Sequence, residues 1–147
     1  MIKKSIVFCC FLSTLSIAEV VAQEPSKIAD VAFTYSGRTF HLGRRDRNED
    51  NNIWGIRYKE LEVSTMINSF DKRSYIFAYH KKFKLTDWAD VGFRVGGITG
   101  YTKDENRFQL LGVTPVISPT IDFHYKSFGF ETSMQTNVLI FTLNYSF

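Results

Sequence analysis

The chain has 147 residues, 18 Lys and Arg against 15 Asp and Glu, a net charge of +3, 14 Phe, 7 Tyr and two cysteines. A balance so near neutrality offers no argument for nucleic acid. Cys9 and Cys10 both fall in the N-terminal apolar stretch, so the chain beyond it has no disulfide, thiolate nucleophile or cysteine metal site; the histidine spacing matches no metal motif, and neither metal nor cofactor is expected.

In chain order, Lys3-Lys4 precede a mostly apolar run from Ser5 to Ala18 that is too short to span a bilayer as a helix, and Val20-Val21-Ala22 ends in a small residue. This pattern predicts a signal peptide over 1–22 and a mature chain from Gln23. Removing Lys3, Lys4 and Glu19 with it lowers the charge from +3 to +2. Residues 23–147 form one domain by length. They hold no run of 18 apolar residues, so no transmembrane helix is expected.

A short helical turn fits 24–30, with Pro25 early. Alternation of apolar and polar residues then predicts eight strands, at about 31–42, 52–59, 62–70, 74–83, 89–101, 119–125, 128–135 and 138–147. Transmembrane strands need about 9–11 residues each, which this length supplies with short turns. The expectation is an all-β fold, an eight-stranded antiparallel transmembrane β-barrel. An even strand number puts both termini at one end. In bacterial barrels that end has the short turns and faces the periplasm, while longer loops, here 44–51 and 102–118, face outward.

The last strand places Leu139, Phe141, Leu143, Tyr145 and Phe147 on one face and Ile140, Thr142, Asn144 and Ser146 on the other. It resembles the closing strand of a bacterial outer-membrane barrel. That resemblance implies the bacterial outer membrane as location, recognition of the terminal Phe by the barrel-assembly machinery, and a monomer.

Strand parity also reads the interior. Tyr75, Phe77 and Tyr79 face lipid, and Ile76, Ala78, His80 and Lys82 face inward. Ile53 and Gly55 sit above Arg57 and Lys59. Val138 and Ile140 sit above Thr142, Asn144 and Ser146. The strand at 89–101 rises through Gly92, Arg94, Gly96, Ile98 and Gly100, whereas Gly129, Glu131, Ser133 and Gln135 are polar throughout. Glu131 and Arg94 are expected to pair. The barrel should therefore be polar below and apolar above. Ile53, Gly55, Ile76, Ala78, Gly96, Ile98, Val138 and Ile140 would line a cavity suited to one acyl chain. The same residues also suit a solid core, and alternation does not choose between them. Eight strands leave no aqueous channel.

Three segments carry a further resemblance: Met66-Ile67-Asn68-Ser69-Phe70-Asp71-Lys72 followed by Tyr75 and Tyr79; Pro115-Val116-Ile117-Ser118-Pro119; and Asn137-Val138 to Phe147. Together, across 52–147, the chain resembles the lipid A palmitoyltransferase (PagP-like) family of small outer-membrane β-barrels. The resemblance implies an interior acyl-chain ruler and transfer of a palmitoyl group from a phospholipid to lipid A, through a His, an Asp and a Ser at the extracellular end. Phospholipid and lipid A would be its partners. By motif the Ser is Ser69 and the Asp position is Asn68; His41, at the outer end of its strand, is the candidate base. Pro115 and Pro119 would flank a lateral opening.

Acyl transfer needs a base and a hydroxyl or oxyanion stabiliser, which His41 and Ser69 supply, with Asn68 orienting or donating but carrying no charge. His80 and His124 read as hydrogen-bonded interior histidines. Asn68-Ser69 also reads as an ordinary turn, and Pro115 and Pro119 as loop and strand-start punctuation. The alternative function is a non-catalytic small barrel with a structural or surface-interaction role.

Overall fold

The computed structural model describes residues 30–43, 47–106 and 108–147. The expected signal peptide and start of the mature chain lie outside the described residues. Nine strands follow in order: β1 Val31–Ser36, β2 Thr39–His41, β3 Ile53–Tyr58, β4 Leu61–Ile67, β5 Arg73–Lys84, β6 Ala89–Ile98, β7 Thr114–Tyr125, β8 Phe128–Gln135 and β9 Val138–Ser146.

Every neighbouring pair is antiparallel. β1 and β2 both pair with β9, through Thr34↔Asn144 and Thr39↔Ile140, so they are two halves of one barrel strand interrupted at Gly37 and Arg38. With β1 also paired to β3, the sheet closes as an eight-stranded barrel. Closure gives every strand two neighbours, so no strand is left at a free sheet edge, a requirement of a bilayer's apolar core.

The side-chain distribution is inverted relative to a water-soluble protein. Phe33, Trp54, Ile56, Val63, Phe77, Val95, Ile117 and Leu143 point outward and are exposed, while Thr34, Arg57, Ser64, His80, Thr120 and Glu131 are buried inside. At the end carrying the tight turns, Tyr58, Trp88, Phe123, Tyr125, Phe128 and Tyr145 form an outward aromatic belt, with Trp88 and Phe123 stacked at 5.9 Å. An apolar wall bounded by aromatics is the surface of a lipid-facing barrel.

The lower interior is a lattice of charges. The Arg57 guanidinium bridges Glu62 at 3.2 Å and Glu131 at 3.1 Å, and Arg94 bridges the same two carboxylates at 3.1 and 2.6 Å. Beneath it Lys82 pairs with Asp122, and His80 Nε2 lies 3.1 Å from Thr120 Oγ1. The expected Glu131–Arg94 pair is one side of this square; Glu62 and Arg57 supply the rest.

The expected strands at 62–70 and 89–101 end early, at Ile67 and Ile98, and two further differences have a clear structural cause. The strand at 31–42 breaks because, near its end, segment 49–51 takes over part of the pairing. Thr39 N–H donates to Glu49 O at 2.8 Å, and Ile67 N–H to Asn51 O at 2.8 Å. The other difference is β7, which begins at Thr114, so Pro115 lies in a strand and not in the expected loop, and Pro119 lies within that strand and not at its start. The strand tolerates them because of its neighbours. His124 N–H donates to Trp88 O at 2.9 Å, on the β6 side, and the β6–β7 register has no bulge. Odd-numbered residues therefore direct their backbone groups towards β8. Pairing of β7 with β8 runs only from Tyr125↔Phe128 to Thr120↔Ser133. The prolines thus lack donors where β7 has no backbone partner, and the upper β7–β8 boundary is a seam without backbone pairing, crossed by the Ser118 Oγ donation to Met134 O at 3.0 Å.

Candidate functional site

The site lies at the loop end, above the charge lattice. Ile53, Met66, Ile76, Ile98, Val138 and Ile140 project from five strands into a chamber of about 560 Å³, whose mouth carries His41, Ser69, Arg47, Tyr101 and Glu105. It narrows at mid-barrel to a space of about 30 Å³ among Ile53, Ile76, Ile140, Thr142, Glu62 and Arg94. Of the residues expected to line an acyl cavity, Ile53, Ile76, Ile98, Val138 and Ile140 line this chamber.

Gly55, Ala78 and Gly96 do not line it. A Cβ on Gly55 would lie 2.6 Å from both Thr34 Oγ1 and Ser64 Oγ, and one on Gly96 would lie 2.0 Å from Phe77 O and 2.9 Å from Ala78 Cβ. The missing side-chain volume is used for close strand approach, not for a slot. The chamber exists because side chains on opposite walls do not meet.

His41 closes β2 and points inward from the rim. Ser69 sits in the turn after β4. His41 Nε2 and Ser69 Oγ lie 2.9 Å apart, a hydrogen bond whose direction depends on the imidazole tautomer. The pair is separated by 28 positions in sequence, and the meander from the first strand through β3 and β4 brings it together.

Asn68 lies apart from this pair and is fully buried. Its Nδ2 donates to Ser74 Oγ at 3.0 Å and Gly100 O at 3.1 Å, and its Oδ1 accepts from Phe70 N–H at 2.9 Å and Lys72 N–H at 3.1 Å. Both donors and both lone pairs are used, so Asn68 braces the Ser69 turn. A carboxylate there would lose the two donated bonds. N68D is expected to lower stability by about 1–3 kcal/mol, read as a denaturant midpoint, with no gain in activity.

Two residues missed by sequence complete the site. Glu49 Oε1 accepts from the His41 backbone N–H at 3.2 Å, and its other oxygen accepts from Arg38 at 3.1 Å. The His41 backbone contact, then Arg38, hold the Glu49 carboxyl below its ordinary range, and its charge also acts on His41. Tyr101 follows β6 and contacts both the hydroxyl and the backbone of Ser69. Burial raises its pKa against those contacts, so the phenol stays protonated near neutral pH. Phe70 meets Tyr101 edge-on at 5.9 Å, and the Arg47 guanidinium stacks 3.9 Å over Phe70, putting a cation at the mouth. Neither Glu49 nor Tyr101 was singled out from sequence: Glu49 falls in the expected polar loop 44–51, and Tyr101, expected at the end of the strand 89–101, lies past β6 on a path that alternation does not describe.

The lateral side is formed by the seam. Thr114 on β7 and Gln135 on β8 both line the chamber, so the unpaired boundary bearing Pro115 and Pro119 borders it. Deeper in the barrel, His80, Asp122 and Glu131 each offer a ligand atom within 4.8 Å of the others. Lys82 and the two arginines already neutralise those carboxylates, so this is an ion-pair lattice and not the donor set of a metal. His124 Nε2 lies 3.1 Å from Asp87 O near the tight-turn end, far from the chamber.

Neither a family model nor a curated protein matches the chain. Among solved structures, it is similar to one described as de novo design of transmembrane beta-barrels. The identity is 10% and the TM-score 0.60, over 82% of this chain and 98% of that one. A protein of unknown function from Clostridium acetobutylicum ATCC 824 aligns at 10% identity over 85% of this chain and 99% of its own, but its TM-score of 0.19 carries no argument. The first likeness speaks to architecture alone: the chain is a closed, eight-stranded antiparallel β-barrel of transmembrane type.

Proposed function

We propose that this protein is a lipid-modifying acyltransferase of the bacterial outer membrane, related in mechanism to the lipid A palmitoyltransferases, that moves an acyl chain from a phospholipid to lipid A or a similar outer-leaflet acceptor. The observation that carries the reading is the His41–Ser69 hydrogen bond of 2.9 Å at the mouth of an apolar chamber. Ser69 Oγ attacks the donor ester carbonyl as His41 Nε2 takes its proton, and the Tyr101 phenol is placed to donate to the developing oxyanion. The ester C–O bond breaks, His41 returns the proton to the departing lysophospholipid oxygen, and the acyl group stays on Ser69. An acceptor hydroxyl then gives its proton to His41 and attacks the acyl-serine; the Ser69 Oγ–acyl bond breaks and His41 returns the proton to Oγ, regenerating Ser69. Glu49 favours the transient imidazolium.

The seam between β7 and β8 supplies a route from the bilayer. The charge lattice sets the depth. Val138 and Thr142 are four positions apart on β9, roughly 10 Å of depth at about 3.4 Å per residue and a tilt of about 40°. At roughly 1.3 Å per methylene, from C–C bonds of about 1.5 Å, the chamber holds about eight carbons below His41. I140W, which fills the lower chamber without touching His41 or Ser69, is expected to shift the preferred chain shorter by several carbons, read by competition among donors of graded chain length.

The direct test is release of lysophospholipid by the purified barrel in mixed micelles of phospholipid and a glucosamine-based lipid acceptor. The wild type is expected to release it and S69A is not. Equal release by both, or none from a folded wild type, refutes the proposal and leaves the non-catalytic reading.

A further inference from the structure

We infer that residues 108–113 form a membrane-dipping hairpin that seats in the lipid leaflet at the outer end of β6 and β7. Leu110 and Val113 exchange both backbone hydrogen bonds, at 2.9 and 3.0 Å, around Leu111 and Gly112. Both turn residues have positive φ, 51° and 79°, the two-residue geometry that ordinarily selects Asn-Gly or Asp-Gly. Here the first position is a leucine. Its side chain is 98% exposed, and its neighbours Leu110 and Phe108 are 76% and 81% exposed. The sequence thus accepts a left-handed leucine and three bare apolar side chains, with no packing inside the protein in return.

The direction of these side chains identifies what covers them. Thr114 faces the chamber, so Val113 faces outward; a Cβ on Gly97, itself on the outer wall, would lie 2.4 Å from Val113 Cγ1. Leu110 is bridged directly to Val113 and shares its face. The hairpin therefore continues the lipid-facing surface of Val95, Pro115 and Ile117 past the end of the sheet. Its polar base turns the other way. Glu105 pairs with Lys72 at 2.6 Å and accepts from Thr102 N–H at 2.8 Å, which fixes the loop over the chamber mouth. An apolar tip continuous with the barrel wall, on a polar base tied to the rim, has the chemistry of an interfacial anchor, and lipid is the occupant that continuity selects.

The inference needs the transmembrane barrel but not the acyl-transfer chemistry. It is tested with an environment-sensitive dye at L111C, and separately at L110C, in a C9S/C10S background reconstituted in phosphatidylcholine vesicles. D71C is the control, since Asp71 is exposed in a left-handed turn at the same end. Folding of each is checked by heat-modifiable gel mobility. At both leucine sites the dye is expected to be severalfold less accessible to iodide than at D71C and strongly quenched by lipids carrying a nitroxide high on the chain. Iodide access equal to D71C overturns the inference, as does shielding from both quenchers, which would mean a protein cover.

Discussion

Replacing Glu131 by Gln or Ala lowers the barrel's stability by about 3–5 kcal/mol, the cost of leaving a buried charge without its partner. Glu131 has no exposed surface and accepts from both Arg57 and Arg94, at 3.1 and 2.6 Å. Its loss leaves two guanidiniums sharing Glu62, which lies 3.2 and 3.1 Å from them. The interior is too narrow for either arginine to leave, because strands on all sides hold their backbones in register. The measurement is the denaturant midpoint in detergent or vesicles. Replacing the whole square by apolar residues of similar volume, R57M/E62L/R94M/E131L, removes the unpaired charge together with the pair and is expected to restore most of the stability. A loss for E131Q below about 1 kcal/mol would mean that the square does not hold the barrel together.

Loss of the rim pair has the largest expected effect on activity. In the proposed reaction H41A removes the proton acceptor and is expected to cost about 10²–10⁴-fold in acyl transfer. S69A removes the nucleophile and is expected to cost at least about as much. Their effects should overlap instead of multiplying, since the two atoms act as one unit at 2.9 Å. Neither residue belongs to the charge lattice, so both variants should keep the wild-type denaturant midpoint within about 0.5 kcal/mol, as expected for positions outside a packed core. The separation is the informative part: E131Q weakens the barrel, and S69A leaves it standing.

Much of the architecture was legible because the side-chain period of a strand is two. That period assigns Tyr75, Phe77 and Tyr79 outward and Ile76, His80 and Lys82 inward, and the structure follows the assignment residue by residue. The vertical change from Ile140 to Thr142 and Asn144 likewise marks where the chamber stops. The failures share one cause. Alternation says which face a residue occupies but not what crosses from the opposite wall. It placed Gly55, Ala78 and Gly96 correctly on the inner face, yet could not show that neighbouring strands fill their space. Loops are worse, because they have no period. Glu49 and Tyr101 reach His41 and Ser69 only once neighbouring strands pair, and the bracing by Asn68 rests on hydrogen bonds to Phe70, Lys72, Ser74 and Gly100 that are invisible in a linear string.

The same reading explains why β7 begins earlier than expected. Two prolines four positions apart argue against a central strand, and that argument would hold if both sides were paired. The structure resolves the conflict by leaving β7 paired on one side only over that stretch. The seam and the prolines are therefore a single feature, and it borders the chamber.

The measurement that bears most directly on the acyl-transfer account is mass spectrometry of total lipids from Gram-negative cells expressing the wild type, S69A or no protein, at matched levels of folded barrel. The account predicts that only the wild type adds one acyl chain to an outer-leaflet glycolipid, with a matching rise in lysophospholipid. Lipid profiles that are identical in all three would contradict it.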